Sequence, residues 1–239
     1  MRLLVHGMQS SGATLFTYFL AQRPGCLALV DILNNYAAPR LATDLDAVAK
    51  CVVTTAYPIA IHQERFKPDR TILLLRDPRD NYVSLSTKNY RNHSGLIDEK
   101  FALLDALFAD RGRFDATVHY EDFMDRDPAV LDRVTALGWP VDADQYAFDR
   151  EFEDILAVVW RDQPQLFTEC EMSFGNCDPR GLKPDKRTKP RSPEIDRKLE
   201  ALCPHLLAHY RERAVGSADP QAVGPSDPQR VGPPCYPQV

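Results

Sequence analysis

The segment ILLLRDPRDNYVS, residues 72–84, does most to decide the fold, because it joins a buried strand to a helix. Four consecutive aliphatic residues are typical of a strand covered on both faces of a sheet. Pro78 suits the first position of the helix that follows. Arg76 and Ser84 are then expected to approach one place at the carboxyl end of the strand, where open α/β sheets bind ligands. A guanidinium beside a hydroxyl suits a phosphate monoester.

Strand and helix patterns alternate on either side of this segment. Strand-like runs lie at residues 3–6, 51–55, 71–75 and 116–119. The alternation predicts an α/β fold, a single domain with a central, mostly parallel sheet flanked by helices. A late helix is indicated by Ser192 as N-cap, by Pro193, and by apolar residues at helical spacing as far as Tyr210. We expect the domain to span residues 1–213.

The composition changes after this domain. Residues 214–239 contain a degenerate repeat of about eight residues, in the forms AVGSADPQ, AVGPSDPQ and RVGPPCYPQ. A segment rich in proline and glycine, with few large apolar side chains, buries too little surface to offset the entropy of ordering. The sequence therefore predicts a disordered tail.

Bulk properties exclude several classes of function. The net charge of −5 argues against a nucleic-acid partner. No apolar run approaches the roughly 20 residues of a membrane span, and the first residues do not resemble a signal peptide. The six cysteines are scattered without a C-x-x-C pair, which favours free thiols. We expect a cytoplasmic protein without a metal; the oligomeric state is left open.

A second anion site is predicted directly after the first strand. Residues 7–14, GMQSSGAT, follow the spacing G-x-x-x-x-G-K-[ST], with Ala13 in place of the lysine. Glycines let such a backbone bend tightly, and the start of the next helix attracts an anion. We call residues 7–14 the glycine turn. Its candidate ligand-binding residues are Gln9, Ser10, Ser11, Gly12, Ala13 and Thr14.

Together these motifs resemble the sulfotransferase family that uses 3′-phosphoadenosine 5′-phosphosulfate (PAPS). Its 5′-phosphosulfate loop, [KR]-S-G-[ST]-[ST], corresponds to residues 10–14, SSGAT. Its 3′-phosphate motif, R-x-P-x-D-x-x-x-S, is matched completely by residues 76–84. Residues 120–123, YEDF, resemble a further family segment that is mainly structural. The resemblance covers residues 1–213.

The resemblance implies a P-loop-like sulfotransferase fold and PAPS as co-substrate, with no metal. It also implies in-line transfer of the sulfuryl group to a hydroxyl of a soluble small-molecule, lipid or secondary-metabolite acceptor.

The family's basic residue in the 5′ loop is absent, since Ser10 stands in its place. That residue stabilises charge on the leaving phosphate, so another cation is needed. One candidate is Lys88, one helical turn past Ser84. The other is the basic loop, residues 180–191, with six basic residues against one acid. Its candidate nucleotide-binding residues are Lys186, Arg187 and Lys189, although a solvated surface loop is an equally good interpretation.

The family's catalytic base is altered as well. Small-molecule members carry a histidine in V-V-K-T-H-x-P, whereas residues 52–58 read VVTTAYP and place Ala56 there. Members that act on protein tyrosines and glycans use a glutamate instead, and alignment puts Asp31 at its position. We therefore expect Asp31 to be the general base, at a strand end facing the cleft. A helix N-cap is the alternative role for Asp31, and His62, in a mobile loop, is the leading substitute.

Two other functions stay open. A P-loop-type small-molecule kinase or phosphotransferase would share the fold but lacks the lysine that Ala13 replaces. A catalytically inactive nucleotide-binding protein is favoured by Ser10 and Ala56.

Overall fold

The computed structural model describes residues 1–171 and 188–216. Within them the strands are β1 Arg2–Gly7, β2 Leu27–Leu29, β3 Ala47–Val52, β4 Arg70–Leu75 and β5 Ala116–His119. The helices are α1 Ala13–Leu20, α2 Ile59–Phe66, α3 Pro78–Ser86, α4 Ile97–Ala109, α5 Tyr120–Met124, α6 Pro128–Ala136, α7 Phe152–Asp162, α8 Leu166–Glu169, α9 Pro193–Leu202 and α10 Pro204–Gly216. Two short 3-10 helices lie at residues 111–113 and 143–147.

The five strands form one parallel sheet in the order β2-β3-β1-β4-β5. This confirms the predicted α/β fold. β1 is the central strand, and β4 is its direct neighbour. Because parallel neighbours end at the same edge, the glycine turn after β1 and the start of α3 after β4 meet at the carboxyl edge of the sheet.

Apolar residues cover both faces of the sheet. On one face, Leu3 and Val5 pack in a cluster with Phe16 and Phe19 of α1. On the other face, Leu73 and Leu75 of β4 pack with residues of α3, α4, α9 and α10. β4, whose Ile72 and Leu74 belong to the first cluster, is therefore covered from both sides, as its aliphatic run in the sequence predicts.

The structure corrects two predicted element boundaries. β3 begins at Ala47, although residues 51–55 were the predicted strand. Lys50 interrupts the apolar pattern in the middle of β3 and hides its start. The late helix is two helices, since Cys203 ends α9 and Pro204 begins α10. Proline has no N–H to continue a helix but suits the first turn of a new one.

Near the end of the chain, two other predictions can be compared with the structure. The Ser192 hydroxyl accepts a hydrogen bond from the Ile195 N–H, which confirms the predicted N-cap of α9. α10 continues to Gly216, past the predicted boundary at residue 213. The rest of the predicted tail lies outside the described residues.

The described residues, 1–171 and 188–216, contain four of the six cysteines. There Cys26, Cys51, Cys170 and Cys203 are buried and free, as predicted. Cys177 and Cys235 lie outside those ranges. No helix in residues 1–171 and 188–216 combines the length and apolar character that crossing a membrane requires.

Candidate functional site

The glycine turn is built around a left-handed Gly12. Gly12 has φ of 90°, a conformation that favours glycine. A Cβ atom on it would lie 2.3 Å from the ring of Tyr120. The ring of α5 therefore packs directly on the backbone of the turn. This contact explains why a glycine is needed here, beyond the bend alone.

The turn presents donors for an anionic group. The hydroxyls of Ser10 and Ser11 are buried and have no hydrogen-bond partner among the described residues. α1 begins immediately afterwards, and no described side chain caps it. Backbone N–H groups in the first turn of a helix have no intrahelical acceptor. Hydroxyl and N–H donors at one place fit a phosphate or sulfonate group.

Arg76 is in direct contact with the turn. Its Nη1 donates a hydrogen bond of 2.9 Å to the carbonyl of Ser10, and its guanidinium lies 4.7 Å from the centre of the Tyr120 ring. Arg76 is buried at the end of β4. The structure thus brings together the two motifs that are 66 residues apart in the sequence.

Ser84 and Lys88 belong to the helix that follows Arg76. Ser84 is half-buried in α3, whereas Lys88 is exposed just beyond the end of this helix. The N-cap of α3 is Asp77, whose side chain accepts a hydrogen bond from the Arg79 N–H. The predicted strand–helix junction is therefore present, with a proline at its first helical position.

The end of the basic loop is attached to the start of α3. Asp80 accepts hydrogen bonds from the Lys189 N–H at 2.8 Å and from Arg191 at 3.1 Å. Arg191 also donates to Asp77 at 3.3 Å. Burial raises the pKa of Asp80. Lys186 and Arg187 lie outside the described residues, but the anchored end brings Lys189 to the same strand–helix junction as Arg76.

The YEDF segment, residues 120–123, contacts this strand–helix junction through Glu121. The Glu121 carboxylate accepts the Asp77 N–H at 2.9 Å and the Tyr210 hydroxyl at 3.0 Å. Burial raises the pKa of Glu121. α5 therefore connects the start of α3 with α10, which is the structural role that the resemblance implies for this segment.

Asp31 lies near the glycine turn, paired with a lysine that sequence reasoning missed. It follows β2 by two residues, is buried, and forms an ion pair with Lys50 of β3. Lys50 Nζ also donates to the Thr14 hydroxyl at 3.3 Å. The available signal for Lys50 was a charged residue inside the otherwise apolar run AVAKCVV, residues 47–53.

A second buried lysine supports the other side of the turn. Lys100 of α4 donates to the Gln9 side-chain oxygen at 2.6 Å and to the carbonyls of Arg91 and His93 at 2.7 and 3.1 Å. Burial lowers the pKa of Lys100 to about 8. The Gln9 carbonyl accepts from Asn81 at 2.7 Å. The Gln9 side chain is thus engaged by Lys100, and sequence reasoning did not find this lysine.

His62 lies in α2, so the prediction of a mobile loop was wrong. Pro58 ends the preceding irregular segment, and α2 begins at the next residue. His62 is buried; its Nδ1 accepts the Ala38 N–H at 3.0 Å, and burial lowers its pKa to about 4. Its ring centre is 6.0 Å from that of His6. A cavity of about 210 Å³ beside His6 is lined by residues that include Thr54, Tyr57, Ile59, Leu103 and Leu107.

No metal-binding cluster occurs in the part of the chain that the structure describes. There, no three His, Cys, Asp or Glu side chains are grouped so that they could hold a metal ion.

Comparison with known proteins identifies the fold. No protein-family model matches the chain, and no curated protein matches it. Among solved structures, mouse sulfotransferase SULT7A1 complexed with PAP matches with a TM-score of 0.50 and 14% identity, covering 91% of this chain and 89% of that one. A sulfotransferase from Alicyclobacillus acidocaldarius is 16% identical with a TM-score of 0.40, covering 87% of this chain and 98% of the other. At these identities the likeness is one of fold, and the chain has a sulfotransferase-like fold.

Proposed function

We propose that this protein is a sulfotransferase that uses PAPS and transfers its sulfuryl group to a hydroxyl of a small-molecule, lipid or secondary-metabolite acceptor. The observation that carries the proposal is the hydrogen bond from Arg76 to the Ser10 carbonyl. It joins the residue expected at the 3′-phosphate to the turn expected at the 5′ end. Two anion sites in contact suit one adenosine bisphosphate better than two separate ligands.

Each end of the nucleotide has its own set of residues in this proposal. The 5′ end is bound by the Ser10 and Ser11 hydroxyls and by the N–H groups of residues 12–14, which have no competing cap. The 3′-phosphate is bound by Arg76 and Ser84, with Lys186, Arg187 and Lys189 as further phosphate-binding residues. The hydrogen bond from the Lys189 N–H to Asp80 supports this role for Lys189.

When bound, PAPS supplies a sulfuryl group attached to a phosphate leaving group. The protein contributes position and charge, which provide most of the catalysis in transfers of this kind. Asp31 accepts the proton of the acceptor hydroxyl. Its indirect contact with Thr14 through Lys50 supports this assignment over His62, whose Nδ1 is occupied by the Ala38 N–H. A general base contributes roughly 10²–10⁴-fold in rate.

The proposal is tested by titration calorimetry with adenosine 3′,5′-bisphosphate (PAP), adenosine 3′-phosphate and adenosine 5′-phosphate. Arg76→Met should weaken PAP and adenosine 3′-phosphate by about tenfold or more, because it removes a charged donor to phosphate, and should weaken adenosine 5′-phosphate less, because at that end only the hydrogen bond to the Ser10 carbonyl is lost. Arg70→Met is the matched control, since Arg70 is exposed at the opposite end of the same strand.

The wild-type titrations decide between the enzyme classes. Tighter binding of PAP than of ATP with Mg²⁺ is the expected result. A preference for ATP with Mg²⁺, or no binding of PAP, would contradict the proposal and favour a kinase or phosphotransferase.

A further inference from the structure

Lys50 is a charged residue in the interior of the sheet. Its neighbours Ala49 and Cys51 are buried, and Lys50 itself is only 5% exposed. Burying an ammonium group is costly unless ionic and hydrogen-bonding partners compensate it. Its described partners are the carboxylate of Asp31 and the hydroxyl of Thr14. Because burying this charge costs free energy, a functional role for Lys50 would account for its position.

The side chain of Lys50 reaches the first turn of α1. Val48, two residues earlier, belongs to the apolar cluster formed with α1, and side chains two apart on a strand share one face. Lys50 therefore lies under α1, where its Nζ contacts the Thr14 hydroxyl at 3.3 Å. Thr14 is the last residue of the glycine turn. A cation thus stands at the turn whose own basic position is occupied by Ser10.

We propose that Lys50 supplies, from β3, the positive charge that the glycine turn lacks, and that it binds the 5′-phosphate of PAPS. The inference rests on the proposed function, which defines the ligand. It differs from the sequence-based candidates in position, because Lys88 is exposed beyond α3 and Lys189 is tied to α3 through Asp80. Of these three lysines, Lys50 is the one in hydrogen-bond contact with the turn. Lys100 also contacts the turn, but its ammonium donates to Gln9 and to the carbonyls of Arg91 and His93.

The ion pair couples this charge to proton transfer. The acceptor oxygen bonds to sulfur, the bond from sulfur to the 5′-phosphate oxygen breaks with its electron pair left on that oxygen, and the hydroxyl proton goes to Asp31. As Asp31 becomes neutral, Lys50 loses its counter-ion while the leaving phosphate gains negative charge. The full charge of Lys50 is then available to that phosphate, in a buried environment where it is poorly screened.

The coupling predicts opposite effects for the two partners. Lys50→Met should weaken PAP by about tenfold or more, because a charged donor to phosphate is lost. Asp31→Asn should tighten PAP several-fold, because Lys50 is no longer neutralised. Neither change should alter the affinity for adenosine 3′-phosphate, which lacks the 5′-phosphate. Lys67→Met is the control; Lys67 is exposed after α2, at the opposite edge of the sheet.

Folding is checked with the double variant Lys50→Met/Asp31→Asn. It removes both charges, so no unpaired carboxylate is left buried, and its PAP affinity should equal that of Lys50→Met. If the ion pair only holds β2 to β3, Asp31→Asn will not tighten PAP, and the double variant will bind PAP like the wild type. Either result overturns the inference about Lys50. If the wild type still binds PAP, the proposed function is unaffected by that result. Absence of PAP binding by the wild type instead refutes the proposed function.

Discussion

At the scale of single residues, Gly12 carries two separate constraints. It has a left-handed φ of 90°, and a Cβ atom would meet the Tyr120 ring at 2.3 Å. The first constraint concerns the backbone alone. The second connects the turn to α5 and, through the same ring, to Arg76. A substitution at Gly12 therefore changes the glycine turn and its packing against Tyr120 together.

Gly25 separates these two constraints experimentally. It has φ of 73°, but nothing lies within 4 Å of a Cβ placed there. Gly25→Ala should cost about 1–2 kcal/mol, the usual penalty of a left-handed alanine. Gly12→Ala should cost clearly more in urea unfolding, and it should also weaken PAP binding. Equal losses of stability in the two variants would show that the Tyr120 contact is easily relieved.

The residues that the sequence predicts and those that it misses differ in kind. Arg76 and Gly12 belong to motifs whose spacing is local, so a few neighbouring residues are enough to predict them as candidates. Lys50 becomes meaningful only beside Asp31, 19 positions earlier, and Lys100 only beside Gln9, 91 positions earlier. Burial of a lysine depends on tertiary partners, which no local pattern contains.

At the scale of elements, the sequence predicts interiors better than ends. The aliphatic runs of β1 and β4 locate these strands, because burial on both faces leaves a continuous apolar signal. The apolar signal does not locate the start of β3, because Lys50 interrupts it. The apolar spacing continues across Pro204 and so predicts a single late helix, although Cys203 and Pro204 separate α9 from α10. Periodicity reports which face is buried, and proline decides where the helix stops.

Lys100 connects α4 with the glycine turn, through Gln9, and with the segment that precedes α4, through the carbonyls of Arg91 and His93. Burial lowers the Lys100 pKa from 10.5 to about 8, so between these pH values the unfolded chain binds more protons than the folded one. Stability contributed at this site must therefore rise with pH across that window. Urea unfolding between pH 7.5 and 10.5 should show the free energy of unfolding of the wild type rising relative to that of Lys100→Met.

Lys198 provides a control of opposite sign. The carboxylate of Asp98 raises the pKa of Lys198 by hydrogen bonding at 2.8 Å. A raised pKa gives stability that persists to pH 10.5 and is lost only above it. The free energy of unfolding of the wild type should therefore not rise relative to that of Lys198→Met between pH 7.5 and 10.5.

For Lys100, the contradicting result is a constant difference between the free energies of unfolding of the wild type and Lys100→Met over this pH range. It would mean that Lys100 is not desolvated in solution.

At the scale of the whole molecule, a chain of net charge −5 gathers cations at one edge of its sheet. Arg76 and Lys50 come from strands on either side of β1, and both contact the glycine turn. Parallel topology makes this possible, because every strand directs its carboxyl end to the same edge. The overall charge argues against a broad polyanion-binding surface but is compatible with a local anion site.

The contacts of α10 indicate where the domain ends. Leu206, Leu207 and Tyr210 of α10 belong to the apolar cluster on one face of the sheet, and Tyr210 also donates to Glu121. A chain ending at residue 216 keeps all these contacts. It should match the full-length protein in unfolding midpoint and PAP affinity, which would support the predicted division between domain and tail.

A chain ending at Cys203 tests the other side of that boundary. It removes α10, exposes the cluster, and leaves the buried Glu121 without its tyrosine. Loss of large apolar side chains costs several kcal/mol, comparable to the whole stability of a domain. We expect this shorter chain to lose cooperative unfolding, as measured by circular dichroism during heating. If the chain ending at residue 216 also melted lower or bound PAP more weakly, residues 217–239 would have to be counted as part of the domain.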